Sequence, residues 1–189
     1  MSERKYATEE DIALVKRTEV EIRSGVSVIS FDVGALKRRV RDDDAAQAFI
    51  HAHLYIDHVV TQMVSEAVPF PRHLQLDRAG FTQKLQLVAA LGLLSPSFLA
   101  PIRVINAIRN KIAHKLDYVV TPDDETKLRS AIPKGAGRAE DGSLTPLPEL
   151  LRLVTVIIDL QRQERAFERT MRRRAVANAR VVLDDIQVE

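Results

Sequence analysis

The segment IRNKIAHK, residues 108–115, brings three chemically capable side chains close together. Arg109 carries a permanent positive charge, Asn110 offers an amide, and His114 offers an imidazole, the group that most readily exchanges protons near neutral pH. A guanidinium can stabilise the negative charge that grows on a phosphorus centre during displacement. The three residues are therefore candidates for a site, for a structural anchor, or for a polar surface edge.

The composition limits which chemistry is possible. The chain has 189 residues, 46% of them hydrophobic, with only seven glycines and no cysteine. It is long enough for one ordinary domain with a core, and the absence of cysteine excludes disulfides, thiol nucleophiles and thiolate metal sites. A formal net charge of only +2 excludes a polycation that binds nucleic acid through its average field.

Several functional classes lack their sequence signals. No apolar run approaches the roughly 18 residues that span a bilayer, and the N-terminus has no apolar segment typical of a secretory signal. We therefore expect a cytoplasmic protein with no membrane partner. No phosphate-binding glycine loop, nucleophile elbow or dinucleotide fingerprint is present, so we expect no cofactor. No segment makes a convincing helix-turn-helix, which leaves direct reading of DNA as a weak third alternative.

The apolar residues recur at helical spacing, which predicts an all-α protein. We expect an up-and-down helical bundle of four to five core helices with a long C-terminal helix. The predicted segments are an N-terminal helical segment at 1–43, core helices at 44–118, a short helix and flexible loop at 119–147, and a long basic helix at 148–189. Little order is expected between about 133 and 146, where glycines and prolines cluster.

The elements that would position IRNKIAHK are two of these core helices. One is predicted to run from the caps at Asp42–Asp44 to Pro69, and its apolar circumference marks it as central. The other is predicted over 101–117. Two further helices are predicted before it in the chain, at 9–25 and near 81–91. The expected core face of the 101–117 helix comprises Ile102, Ile105, Ile108, Ile112 and Leu116, and its polar stripe comprises Arg103, Asn106, Asn110, His114 and Asp117.

Arg109 interrupts this pattern because its angular position lies within the apolar arc. A buried guanidinium needs a carboxylate partner or a route into a polar cleft. Asp57 lies between the apolar stripes of the central helix and is the best candidate for that partner. The pair would be a buried structural salt bridge, or else Arg109 would be held in a functional cleft; the sequence leaves both open.

Two further groups of residues invite a functional interpretation. His51, His53 and His58 are close in sequence but lack a metal-binding pattern, so surface or subunit contacts are favoured and no metal is expected. Between residues 161 and 180 seven arginines stand against two glutamates. A solvated face is the ordinary explanation, and the alternative is a strip that binds RNA or an acidic partner through Arg162, Arg165, Arg169, Arg172 and Arg173.

The run from Arg109 and Asn110 to Ala113 and His114 resembles the R-x4-H motif of HEPN domains. Its setting is similar too, since the motif follows a long helix with an internal acid, in LYIDHVV. The stretch GFTQKLQLVAALGLLSPSFLAPIRVINAIRNKIAHKL also resembles the HEPN-like group that includes the mannitol operon repressor family. The resemblance covers about residues 44–118 and leaves both ends unmatched.

The resemblance implies a helical bundle that forms a homodimer, with two copies of the motif facing each other across a cleft. It implies a metal-independent endoribonuclease of toxin or defence type, in which Arg109 holds the scissile phosphate, Asn110 orients the site and His114 exchanges a proton with the ribose 2′-hydroxyl. The partners would be RNA and an antitoxin or regulatory protein. The alternative implied by the repressor-like group is a non-catalytic dimeric module for regulation or protein interaction.

Overall fold

The computed structural model describes residues 6–41, 43–133 and 143–188, and within these ranges the protein is helical, without β-strands. No helix among them is long and apolar enough to cross a membrane. The all-α prediction with a long C-terminal helix is confirmed. The helices of the described ranges are α1 (Glu9–Lys16), α2 (Glu19–Val26), α3 (Val33–Arg39), α4 (Ala45–Ala67), α5 (Phe81–Ala90), α6 (Pro96–His114), α7 (Pro122–Ala131) and α8 (Leu147–Val188), with a 3-10 turn at Pro71–Leu74.

The chain divides into two compact units. One comprises Met1–Val28 and Gln163–Glu189, and it contains α1, α2 and the later part of α8. The other comprises Ile29–Arg162 and contains α3 to α7 with the first part of α8. The residues of the R-x4-H motif all belong to the second unit.

The first unit begins with two helices where the sequence predicted one over 9–25. The prediction was wrong because Thr18 starts a new helix: its hydroxyl accepts from the Glu21 amide at 3.2 Å, and the Glu21 carboxylate accepts from the Thr18 amide at 2.7 Å. In this reciprocal cap the two side chains accept from backbone amides at the start of a helix, where no preceding turn supplies carbonyl acceptors. Within the same unit, the amides of Tyr6 and Ala7 donate to the Asp184 carboxylate.

The core of the second unit is built around α4, which packs against α3, α5 and α6. Fully buried large side chains come from α4, α6 and α8 and belong to one cluster: Phe49, Ile56, Met63, Ile102, Ile105, Ile108, Leu150, Leu151 and Ile158. Burial of one such side chain stabilises a fold by about 1.5–3 kcal/mol. Leu54 is an exception to the apolar, central character predicted for α4, because its side chain is 51% exposed.

Helix α6 positions the motif and differs from its predicted bounds at both ends. It begins at Pro96, after Ser95 in an extended conformation, and continues through Pro101, whose ring nitrogen cannot donate the hydrogen bond that other residues inside a helix make to the preceding turn. It ends at His114, since Lys115 is extended at φ −124° and ψ 111°. Leu116 was predicted to lie in the core, but it follows the end of the helix and is fully exposed.

Helix α7 is the short helix predicted within 119–147. It begins at Pro122 after the N-cap Thr121, a pair of residues typical of a helix start. The Thr121 hydroxyl accepts from the Asp124 amide at 3.3 Å, and the Asp124 carboxylate accepts from the Thr121 amide at 3.1 Å. Most of the predicted flexible loop, residues 134–142, lies outside the described residues.

Candidate functional site

Arg109 lies half-buried at the edge of the buried face of α6, close to Ile102, Ile105 and Ile108. Within the described part of the chain, no carboxylate lies within salt-bridge distance of its guanidinium. Its polar contact is Nη1 donating to Asn110 Oδ1 at 3.4 Å, a long and weak hydrogen bond. Arg109 therefore carries a positive charge that no carboxylate of the described residues pairs with directly.

Asp57 is not the partner of Arg109, so that prediction was wrong. The Asp57 carboxylate accepts a hydrogen bond from Lys84 Nζ at 2.9 Å. Lys84 comes from α5, and its side chain is only 7% exposed, whereas that of Asp57 is 33% exposed. A buried ammonium requires a paired anion more strongly than a half-buried guanidinium does. The pairing of Asp57 with Lys84 agrees with this difference.

His53, one helical turn before Asp57 on α4, is the side chain that links α4 to the motif helix. Its Nε2 lies 3.1 Å from Asn106 Oδ1, a hydrogen-bond contact in which the donor depends on the tautomer of the imidazole. The ring is tilted against Phe81 with centroids 4.4 Å apart. The residue is 6% exposed, and within the described chain its buried Nδ1 has no hydrogen-bond partner.

The electrostatics around His53 favour the neutral imidazole. Burial lowers the pKa of His53, and the positive charges of Arg109 and Lys84 lower it further. The hydrogen bond to Asn106 and the charge of Asp57 act in the opposite direction without overcoming burial. His53 therefore lies within the electrostatic influence of both cations.

Asn110 and His114 follow Arg109 along the same helix. Asn110 is half-buried, and His114 is exposed in the last turn of α6. The predicted polar stripe is divided in two, because Asn106 contacts His53 whereas His114 faces solvent. The fold thus brings together Arg109, Asn110, Asn106 and His53, with the Asp57–Lys84 pair behind them.

A buried ionic cluster fixes the other side of the motif helix. Lys111 Nζ donates to Asp124 Oδ1 at 3.0 Å, and the Tyr118 hydroxyl also donates to Asp124, whose side chain is 2% exposed. Burial alone would raise the pKa of Asp124, but hydrogen bonds from Tyr118, Lys111 and Thr121 outweigh it and hold the pKa far below its usual value. The cluster ties the last turn of α6 to the start of α7.

The three histidines of α4 do not converge. His53 contacts Asn106, and the Nε2 of His58 lies 2.9 Å from the Ser30 carbonyl oxygen. Among the described residues, no group of three or more His, Cys, Asp or Glu side chains is arranged to hold a metal ion.

The predicted arginine strip of α8 consists of residues in different settings. Arg162 is buried in the second unit, where Nε donates to Asp159 at 2.9 Å and Nη1 donates to Glu66 at 2.7 Å. The Asp159 carboxylate also accepts from the Ser30 hydroxyl at 2.6 Å. The assignment of Arg162 to nucleic-acid binding was wrong, because two carboxylates and burial give it a structural role.

The other arginines of the strip belong to the first unit. Arg165 donates to Glu168 at 2.8 Å, and Arg169 is half-buried. Arg172 and Arg173 are exposed and line a surface pocket of about 460 Å³, whose wall also includes Asp11, Val176 and Arg180. Of the predicted strip, Arg172 and Arg173 are the members that project from the surface.

Sequence reasoning missed Lys84, Asn106 and the role of His53. A lysine within the apolar run of GFTQKLQLVAALG is a signal for a buried cation, comparable to the one that drew attention to Arg109. His53 and Asp57 are four residues apart and share one face of α4, which could have paired them with one site.

The chain matches no protein-family model, no curated protein and no solved structure. The interpretation of the site therefore depends on its own geometry and on the resemblance of its motif.

Proposed function

We propose that this protein is a HEPN-like, metal-independent endoribonuclease of toxin or defence type. The observation that carries the proposal is the charge of Arg109, which is half-buried, adjacent to Asn110, and without a carboxylate partner among the described residues. A guanidinium kept in this state is suited to bind a phosphate oxygen, since charge-assisted hydrogen bonds to phosphate are among the strongest in proteins.

The local charges support an anionic ligand rather than a structural ion pair. Asp57 and Lys84 neutralise each other, and His53 is kept neutral, so Arg109 contributes an excess positive charge. Of the two alternatives that the sequence left open for Arg109, the geometry supports the functional cleft.

In the proposed chemistry these residues act as follows. The ribose 2′-oxygen attacks phosphorus while the bond from phosphorus to the 5′-oxygen breaks, which yields a 2′,3′-cyclic phosphate and a free 5′-hydroxyl. Arg109 stabilises the negative charge on the phosphoryl oxygens, and Asn110 orients the phosphate. The exposed His114 either accepts the 2′-hydroxyl proton or donates a proton to the leaving oxygen.

A second imidazole is needed for both proton transfers to be catalysed. A homodimer in which two His114 side chains share one cleft would supply it, and we include that arrangement in the proposal. An antitoxin or regulatory protein that covers the cleft would control such an enzyme.

The test is cleavage of single-stranded RNA by the purified protein in EDTA, with products analysed for 2′,3′-cyclic phosphate ends. Replacement of His114 by Gln should reduce the rate by about 10²- to 10⁴-fold, the range of general acid–base catalysis. Arg109→Gln should reduce it comparably, and His73→Gln, at an exposed histidine of the 3-10 turn, serves as the control. Full activity in the His114 variant would exclude this mechanism.

A second candidate function is a non-catalytic dimeric module for regulation or protein interaction. It is favoured by the apolar surface directly after the motif, where Leu116 is 100% exposed and Val119 is 75% exposed. Apolar side chains exposed beside each other mark protein contacts. If Leu116→Ser converts a dimer to a monomer in analytical ultracentrifugation, and the wild-type protein never cleaves RNA, the module is the better assignment.

A further inference from the structure

His53 is a buried polar side chain of the second unit that the proposed nuclease mechanism does not use. It lies on α4, 6% exposed, with its Nε2 occupied by Asn106 and its Nδ1 unpartnered within the described chain. An unpaired nitrogen in a buried ring costs free energy, and in a neutral imidazole the nitrogen without a hydrogen is the atom that takes up a further proton. The ring of His53 also lies within the electrostatic influence of Arg109, the charge proposed to bind phosphate.

We propose that His53 is the proton-linked residue of the anion site, so that an anion bound beside Arg109 is held more tightly when His53 carries a proton. This inference rests on the proposed function, because it assumes that Arg109 binds a phosphate-like anion. It adds a residue of the α4 helix to that site and specifies how the site responds to pH.

The arrangement of α4 and α6 places His53 at the site. Asn106, which contacts the imidazole, lies on α6 one turn before Arg109 and Asn110. Residues three and four apart on a helix share one side, so the contact with Asn106 brings the ring to the side of α6 that carries Arg109 and Asn110. Because the side chain is buried, His53 would act on the anion through the electric field without touching it.

The charged and titratable groups that face His53 come from three helices. Asp57 is on its own helix, Lys84 is on α5, and Arg109 is on α6. With a neutral His53 these groups sum to one positive charge, and with a protonated His53 they sum to two. A dianion beside Arg109 removes the repulsion that otherwise opposes protonation.

Linkage makes the effect reciprocal: a proton on His53 strengthens anion binding by the same factor by which the anion strengthens proton binding. We expect a factor of about ten, within the ordinary range of couplings between sites. The pKa of His53 should then rise by about one when the anion site is saturated.

Sodium sulfate is the probe, because sulfate remains a dianion between about pH 5.5 and about pH 8, where imidazoles titrate. Sodium chloride holds the ionic strength constant. The ring signals of the five histidines are followed by NMR in the full chain, and His53 is assigned from the signal missing in His53→Gln. Sulfate should raise the pKa of His53 in the wild type, and Arg109→Gln should abolish that rise.

Binding measurements give the second readout. In the wild type, sulfate affinity should fall by up to about tenfold as the pH rises through the pKa of His53. His53→Gln, whose amide cannot take up a proton, should bind sulfate with the low affinity at every pH. His51→Gln is the matched control, because its ring lies about 200° away around the same helix and should leave the pH dependence unchanged.

The outcomes separate the two proposals. If sulfate binds in an Arg109-dependent manner but leaves the pKa of His53 unchanged, the proton linkage is wrong and the anion site stands. If sulfate binding does not depend on Arg109, the anion site is wrong and the linkage falls with it. Because the NMR titration uses the wild-type protein, it remains decisive even if a His53 variant fails to fold.

Discussion

Lys84 donates to Asp57 at 2.9 Å, so the acid that the sequence assigned to Arg109 is paired with a different cation. The Lys84 side chain is 7% exposed, so it depends on its anion more than Arg109 does. The pairing of Asp57 with Lys84 gives Asp57 a structural role. Among the described residues it leaves Arg109 without a carboxylate at salt-bridge distance, which is the basis of the binding role proposed for it.

The pairing of Asp57 with Lys84 predicts different losses in the free energy of unfolding for two variants. Asp57→Asn should lower the free energy of unfolding by about 3 kcal/mol, because it leaves the buried Lys84 ammonium without an anion. Arg109→Gln should change the free energy of unfolding by less than about 1 kcal/mol, because no carboxylate among the described residues loses a partner. Urea denaturation at neutral pH measures both.

Lys84→Met provides the control for that pair. It removes the buried cation and leaves Asp57, which is 33% exposed and can be hydrated, so it should cost less than Asp57→Asn. If Arg109→Gln destabilised the protein as much as Asp57→Asn does, Arg109 would be a structural partner of Asp57 after all.

The pH dependence of stability should report the buried imidazole. Burial lowers the pKa of His53 below its value of 6.5 in the unfolded chain. Below that pH the unfolded state binds a proton that the folded state does not, so this contribution is present above about pH 6.5 and is lost as the pH falls. The slope is at most about 1.4 kcal/mol per pH unit.

Denaturation midpoints measured between about pH 8 and about pH 5 test this effect. This range extends about one unit or more on either side of an ordinary imidazole pKa. His53→Gln should flatten the profile in the window just below pH 6.5. The exposed His73, replaced by Gln, should not alter the slope. An unchanged slope in His53→Gln would show that another group controls acid stability.

The fold was predictable from the sequence to the extent that its signals are local. The caps at Asp44 and Thr121 and the apolar periodicity of α4 are read from neighbouring residues, and they gave the right helices. Thr18 was overlooked, although its capping box with Glu21 is equally local. Leu116 was misplaced because periodicity does not state where a helix ends.

The partners within the site were less predictable, because they depend on which helices meet. Asp57 was recognised as an anomalous acid, but Arg109 and Lys84 were both possible partners, and only the packing of α5 beside α4 selects Lys84. The arginines of α8 show the same limit, since buried Arg162 and exposed Arg172 carry the same charge in the sequence.

The ionic cluster behind the motif predicts a large effect for Asp124. Asp124→Asn should lower the free energy of unfolding by about 3 kcal/mol at neutral pH, because Lys111 and Tyr118 lose a buried carboxylate. Asp123→Asn is the control. The Asp123 side chain is 70% exposed and pairs with exposed Lys127, so its replacement should lower the free energy of unfolding by less than about 1 kcal/mol. Equal costs would contradict the assigned role of the cluster.

The same carboxylate should give a signature in acid. Since the pKa of Asp124 is held far below 3.8, its contribution is present above that pH and is lost progressively as the pH falls below it. The wild-type protein should therefore lose stability in this acidic range, whereas Asp124→Asn should lose less. Denaturation at several pH values below about 4 measures the difference.

The arginines of α8 allow structural and binding roles to be separated. Arg162→Met should lower the free energy of unfolding by about 3–4 kcal/mol, because buried Asp159 and partly buried Glu66 each lose their ion pair with Arg162. The joint replacement Arg172→Gln and Arg173→Gln should leave stability within about 0.5 kcal/mol, because both side chains are exposed.

Binding is measured by fluorescence anisotropy with single-stranded 2′-O-methyl RNA, which lacks the 2′-hydroxyl needed for cleavage. If Arg172 and Arg173 each contact a phosphate, their joint replacement should reduce the slope of log affinity against log salt concentration by about 1.4. Arg38→Gln with Arg41→Gln removes the same charge from two exposed positions of the second unit and controls for the overall field. Equal salt slopes for the two double variants would mean that Arg172 and Arg173 contribute only net charge, because a direct phosphate contact is lost only when the contacting side chain is removed.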